Sequence, residues 1–232
     1  MRATGTSALD PAAGLTGLRS VAILGGTFNP PHLGHLALAR HARVQLGLER
    51  VLLMPAHGSP HKSGADDPGP EHRLRMSGLL VADAPGVSVC AMELERVVPS
   101  YTVDTLQAIH ASHPDVALTF ILGADTATTL PDWREPGKLL ELARFAIAAR
   151  AGSARGEVLE TFDRLRAGAA AGAQRAGLAG LSFLDMPVMD VSSSTARRRA
   201  ARGEPIDDLV GAAVAQYIAA NGLYRAPGEA LG

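Results

Sequence analysis

Two imidazoles three residues apart, His32 and His35, lie in the run Gly25-Gly26-Thr27-Phe28-Asn29-Pro30-Pro31-His32-Leu33-Gly34-His35. The run follows an apolar stretch of strand length, Ser20 to Leu24, and opens a stretch with helical spacing, Leu33 to Leu46. A strand that turns into a helix in this way aims free backbone N–H groups and the positive end of the helix dipole at one spot, where phosphate oxygens bind well. Gly25 and Gly26 read as a tight turn that lets the backbone approach a nucleotide, and Pro31 suits the first helical turn. His32 and His35 share a helical face as paired donors, with Thr27, Phe28 and Gly34 in the same phosphate-facing run. Zinc would need a third ligand, and the metalloprotease pattern needs a spacing of four plus a glutamate, so no protein-bound metal is expected.

A second group of candidates lies far along the chain. Ser192, Ser193 and Ser194 precede a helical run, Thr195 to Ala201, so one hydroxyl can cap the helix while the others and free N–H groups face an anion. Arg197 supplies a planar fork suited to phosphate oxygens, whereas Arg198, Arg199 and Arg202 read as solvent-exposed. Lysine occurs only at Lys62 and Lys138, so Lys62 beside His61 in the Gly/Pro-rich loop Ala56 to Gly69 reads as a phosphate clamp. Asp125, just past a strand ending in Gly123, can accept hydrogen bonds from ribose hydroxyls or cap a helix. Trp133 is the single tryptophan of a chain with 4% aromatic residues; by itself it would be assigned to the core.

The elements that must hold these residues follow from the hydrophobic pattern. Ser20 to Leu24, Arg50 to Met54, Val87 to Met92, Ala117 to Leu122, Phe145 to Ala149 and Leu181 to Asp185 are near-continuous apolar runs, as in strands buried on both faces of a parallel sheet. Helical spacing lies between them at Leu33 to Leu46, Glu71 to Ala82, Thr102 to Ala111 and Lys138 to Leu142. The alternation predicts an α/β protein with a doubly wound, Rossmann-like parallel sheet. Ligands of such sheets bind beyond the carboxyl ends of the strands. Ala151 to Gly180 reads as a surface insertion with a helix around Glu157 to Leu165. Two helices, Thr195 to Ala201 and Ile206 to Ala220, with Gly203 and Gly222 as stop signals, form a small C-terminal helical portion.

Composition sets the outer limits. With 232 residues, 47% hydrophobic, 19% charged and a net charge of -1, the chain is globular and lacks a general nucleic-acid-binding surface. No apolar run approaches the roughly 20 residues of a membrane helix. A lone cysteine, Cys90, excludes an internal disulfide and favours a reducing, cytoplasmic setting. Residues 1–19 read as a flexible leader, 20–225 as the domain, with the Ser/Arg motif in 190–225, and 226–232 as a tail.

His32-Leu33-Gly34-His35 resembles the HxGH signature of the nucleotidyltransferase superfamily, and further motifs resemble bacterial nicotinate-nucleotide adenylyltransferases in their usual order. These are Pro55 through Pro60-His61-Lys62, Ser100-Tyr101-Thr102 with Asp104-Thr105-Leu106, Gly123-Ala124-Asp125, Leu130-Pro131-Asp132-Trp133, Val191 to Arg197, and Tyr217-Ile218 with Asn221-Gly222-Leu223-Tyr224-Arg225. Two positions depart from the ISSTxIR motif: Ser194 replaces its Thr, and Ala196 replaces its Ile, removing apolar area beneath Arg197. The resemblance implies a nucleotidyltransferase fold and transfer of an adenylyl group from ATP, with its Mg²⁺, to nicotinate mononucleotide. It implies catalysis by His32, His35 and Arg197, and ATP binding by Gly25, Gly26, Thr27, Phe28, Gly34, His61, Lys62, Gly123, Asp125, Ser193 and Ser194. Trp133 would stack on the pyridine ring, with Thr102 and Arg134 near its carboxylate. Rival readings are a different acceptor, nicotinamide mononucleotide or phosphopantetheine, and a nucleotide-binding regulator without turnover. Whether the chain forms a homo-oligomer is left open.

Overall fold

Strands that are apolar on both faces are stable only where both faces are covered, and the chain meets that requirement with a parallel sheet between two helical layers. The computed structural model describes residues 14–57, 67–96, 100–148, 155–168, 180–186 and 189–225. The strands are β1 (Ser20–Gly26), β2 (Arg50–Pro55), β3 (Val87–Val89), β4 (Ala117–Gly123), β5 (Arg144–Ala148) and β6 (Leu181–Leu184). They form one sheet in the order β3-β2-β1-β4-β5-β6, with every pair parallel. Helices α1 (Leu33–Gln45), α2 (Pro70–Val81), α3 (Thr102–Ser112), α4 (Ala124–Ala127), α5 (Pro136–Leu142) and α6 (Arg155–Gly168) lie between strands. Three more, α7 (Ser193–Ala201), α8 (Asp207–Val210) and α9 (Ala212–Ala220), follow the last strand. This is the doubly wound α/β architecture with C-terminal helices that the apolar spacing predicts.

Alternate residues of one strand serve opposite layers. Val21 and Ile23 pack with Leu106 and Ile109 of α3 and Phe162 of α6. Ala22 and Leu24 pack with Leu36 and Ala39 of α1, Met76 of α2 and Val214 of α9. Each of the larger buried side chains among them, Val, Ile, Leu, Met and Phe, contributes about 1.5–3 kcal/mol, so both helical layers are held from the same strands. The winding reverses between β1 and β4, which pair directly, so their carboxyl ends form the switch point at which sheets of this kind bind ligands. Leu24 pairs with Ile121, and two residues further along each strand stand Gly26 and Gly123.

The structure corrects several local expectations. Gly25 and Gly26 belong to β1 itself and neither has a positive φ, so the double glycine is not a turn. The strand predicted over Val87 to Met92 stops at Val89, because β3 is an edge strand with β2 alone beside it; the Cys90 N–H makes one further bond to the Leu53 carbonyl, 2.9 Å. The helix predicted over Ile206 to Ala220 is broken at Gly211, whose φ of 83° no helix accommodates. Part of the expected leader is folded: Leu15 is buried in the α3 layer, and the Gly14 carbonyl accepts Arg50 Nη1 at 2.7 Å. Residues 1–13, 151–154, 169–179 and 226–232, on which the remaining leader, insertion and tail expectations fall, lie outside the described residues. No helix among the described residues is long and apolar enough to cross a membrane.

Candidate active site

The segment after β1 is shaped by close packing. A Cβ on Gly25 would meet Phe120 at 3.2 Å, and one on Gly26 would meet the Phe28 ring at 3.2 Å. Phe28 itself carries the left-handed backbone, φ 50°, with its ring buried edge-on to His35 at 4.8 Å between centroids. Pro31 precedes the helix instead of opening it. His32 is the N-cap, in extended conformation (φ -143°, ψ 169°), and its N–H donates to His35 Nδ1 at 3.1 Å. The two imidazoles therefore do not project side by side from a helical face. They stack, with centroids 3.7 Å apart and planes 25° from parallel. Gly34 makes the stack possible: a Cβ there would lie 2.8 Å from Val191 Cγ2 and 3.0 Å from His32 Nδ1.

Burial sets the charge of this pair. Desolvation lowers the His32 pKa from its ordinary value to about 4, and His35 is pushed well below the usual range by burial and then by its neighbour. Both rings are neutral at pH 7, which lets them stack without cationic repulsion. Because His35 Nδ1 accepts a hydrogen bond, its proton is assigned to Nε2, leaving that atom as a donor. His32 Nδ1 is buried without a hydrogen-bond partner among the described residues. The tautomer with its proton on Nε2 avoids an orphaned N–H there.

The late Ser-led helix packs onto the same segment. Ser192 is the cap, accepting the Thr195 N–H at 3.1 Å. Ser193 donates to the Pro30 carbonyl at 2.8 Å, and Arg197 Nη1 donates to the Asn29 carbonyl at 2.6 Å. Arg197 is thus held by the backbone oxygen of Asn29, which stands three residues before His32. Ser194, in the first turn, is exposed. Ala196 has no exposed surface; the motif's larger residue is absent from a position already filled, and Arg197 remains anchored.

At the end of β4, Gly123 is the N-cap of α4 and Asp125 lies inside its first turn with an exposed side chain, so Asp125 is not the cap. A Cβ on Gly123 would meet no protein atom within 4 Å. Packing does not demand that glycine, and the space above it is open to a ligand. Another cluster gathers at the start of α3: Thr102 is its first residue, Tyr101 its N-cap, and the Arg134 guanidinium lies 4.8 Å from the Tyr101 ring centroid and 3.7 Å from Asp104. Trp133 adjoins it, partly buried, edge-on to Phe120 and donating Nε1 to Thr129 Oγ1 at 3.1 Å. Thr102, Trp133 and Arg134 are therefore neighbours in space. His61 and Lys62 lie outside the described residues. Among those described, no group of three or more His, Cys, Asp or Glu could hold a metal ion.

Two contributors escaped the sequence reading. Arg73 of α2 is fully buried and donates to the carbonyls of Thr27, Ala56 and His57. Its signal was present, since Arg73, Met76, Ser77 and Leu80 share the buried stripe of α2, an odd place for an arginine. Tyr224 donates its hydroxyl to Asn29 Oδ1 at 2.6 Å, tying the chain's late segment to the turn before His32.

The geometry defines an α/β protein with paired histidines at a strand-to-helix junction at the switch point of its sheet. The model of the cytidylyltransferase-like family matches residues 23–200. A relative from Roseiflexus sp. strain RS-1, named a probable nicotinate-nucleotide adenylyltransferase, is 42% identical over 207 residues, 88% of this chain and 98% of the relative. One of the same name from Bacillus pumilus is 32% identical over 213 residues, 90% of this chain and 100% of the relative. The chain belongs to the cytidylyltransferase-like family and, within it, to the nicotinate-nucleotide adenylyltransferases. The fold is shared with the Plasmodium falciparum nicotinic acid mononucleotide adenylyltransferase in complex with NaAD, at TM-score 0.68 and 19% identity, covering 89% of this chain and 97% of that one.

Proposed function

We propose that the chain transfers the adenylyl group of ATP to nicotinate mononucleotide, giving nicotinate adenine dinucleotide and pyrophosphate in NAD biosynthesis. Membership of the family carries the reaction, and the meeting of His32, His35 and Arg197 around the Asn29 to Gly34 segment supports its chemistry. An oxygen of the mononucleotide's 5'-phosphate bonds to the α-phosphorus of MgATP, and the bond to the bridging oxygen breaks as pyrophosphate leaves. A phosphate monoester with a second pKa near 6 is already largely dianionic at pH 7, so no strong general base is required. The work left to the protein is alignment and stabilisation of developing charge.

In this reading, His32 and His35 donate as neutral imidazoles to the phosphate oxygens, Arg197 neutralises the triphosphate, and His61 and Lys62 hold its tail. Gly25, Gly26, Thr27, Phe28 and Gly34 shape the phosphate turn; Ser193 and Ser194 line it from α7. Gly123 leaves room above β4 and Asp125 accepts from ribose hydroxyls. Trp133 stacks on the pyridine while Thr102 and the Arg134 backbone receive its carboxylate. The domain spans residues 20–225 and works in the cytoplasm. Pyrophosphate release is measured with ATP and, separately, nicotinate mononucleotide, nicotinamide mononucleotide and phosphopantetheine. Fastest release with the first is expected; release with phosphopantetheine alone, or with none, overturns the assignment.

A further inference from the structure

Arg73 occupies a position where a cation is doubly disfavoured. Its side chain has no exposed surface, and it lies in the first turns of α2, at the positive end of the helix dipole. Removing a charge from water costs several kcal/mol unless its hydrogen bonds are fully made. Here they are. Nη1 donates to the Thr27 carbonyl at 2.9 Å and the Ala56 carbonyl at 2.7 Å, Nη2 to the His57 carbonyl at 2.8 Å, and Nε to Asp67 Oδ1 at 3.1 Å. Asp67 Oδ1 also accepts the Gly69 N–H at 2.9 Å, which fixes the carboxylate beside the helix start.

The partners reveal a purpose beyond packing. Thr27 follows β1 and Ala56 and His57 follow β2, so one planar group gathers carbonyls from the two adjacent loops at the carboxyl edge of the sheet. In a trans peptide the C=O and the following N–H point in opposite directions. With the Thr27 carbonyl turned inward onto Arg73, the Phe28 N–H is turned the other way, away from the guanidinium, in the residue whose ring stands edge-on to His35. A peptide in this orientation presents a donor to phosphate, whereas the flipped peptide would present an oxygen and repel it. We propose that Arg73 is a positioning residue for adenylyl transfer, holding the Thr27–Phe28 peptide in the phosphate-accepting orientation. The inference rests on the transfer reaction proposed above.

Arg73→Lys keeps the charge but cannot reach three carbonyls and a carboxylate from one ammonium. Steady-state kinetics on wild type, Arg73→Lys and Asp67→Asn are compared at a temperature where circular dichroism shows each folded, alongside calorimetric titration with inorganic pyrophosphate. For Arg73→Lys, kcat falls by about 10² per folded molecule, as for a small misplacement of reacting groups, with KM for both nucleotides changing far less. Pyrophosphate binding weakens in parallel. Asp67→Asn, at a partly exposed site, gives a smaller loss in the same direction and decides the matter if Arg73→Lys does not fold. Unchanged kcat per folded molecule together with unchanged pyrophosphate affinity overturns the role of Arg73. A wild type that releases no pyrophosphate from ATP and nicotinate mononucleotide overturns the reaction instead; the titration still reads the orientation of the peptide.

Discussion

Adding one methyl group at Gly34 tests whether the stacked histidines need their close geometry. The new Cβ would lie 2.8 Å from Val191 Cγ2, 3.0 Å from His32 Nδ1 and 3.1 Å from His32 Cε1. Contacts this short force movement, and the His32 ring and Val191 are the atoms that must give. Overpacking of this kind costs about 1–3 kcal/mol. Gly34 is helical, so alanine recovers up to about 1 kcal/mol of helix propensity. The net destabilisation of Gly34→Ala is then about 0–3 kcal/mol, a fall in Tm of at most about 12 °C. Activity responds differently: displacing the His32 ring by a sizeable fraction of an ångström lowers kcat by up to about 10². Gly78→Ala is the control. A Cβ at Gly78, also helical, meets nothing within 4 Å, so this variant gains about 0.4–1 kcal/mol and keeps its kcat. Thermal melts and pyrophosphate-release kinetics on both variants give the answer. A folded Gly34→Ala enzyme with wild-type kcat would refute the geometric argument.

Three further expectations concern the same site. Because burial depresses the His32 pKa to about 4 while the unfolded chain titrates near 6.5, stability is full above pH 6.5 and is lost as pH falls toward 4. The loss due to His32 is up to about 3 kcal/mol; urea unfolding of wild type and His32→Asn between pH 7 and 4 should diverge in slope, and parallel profiles would count against it. His32→Ala lowers kcat by about 10² to 10³ with a smaller effect on KM, as for a lost transition-state donor, and raised KM with unchanged kcat would remove that role. Trp133→Ala raises KM for the mononucleotide by about 5- to 150-fold, the equivalent of about 1–3 kcal/mol of stacking, and leaves KM for ATP nearly unchanged. Equal effects on both substrates would place Trp133 outside the pyridine subsite.

Much of the architecture was legible because it is written in local periodicity. Each apolar run is short and flanked by helical spacing, so six strands and all but the short α4 of their connecting helices could be read along the chain before any contact was known. The strand-to-helix junction that carries His32 and His35 was legible for the same reason, since a strand, two glycines and a helix start adjoin in sequence. Gly211 was missed because the apolar pattern of Ile206 to Ala220 continues across it; only the positive φ, forced where α8 turns into α9, reveals the break.

The amino-acid order alone determined the sheet class, the placement of the histidines at a helix start and the family, since these depend on residues adjacent along the chain and on backbone geometry. Tertiary structure decided the rest. The reason Gly34 must be glycine is Val191, and the anchors of Asn29 are Arg197 and Tyr224, all remote in sequence. Arg73 became intelligible only when carbonyls from two separate loops were seen to converge on it. The cost of burying a charge or a ring nitrogen is set by what the folded chain brings beside it, and no local pattern records that.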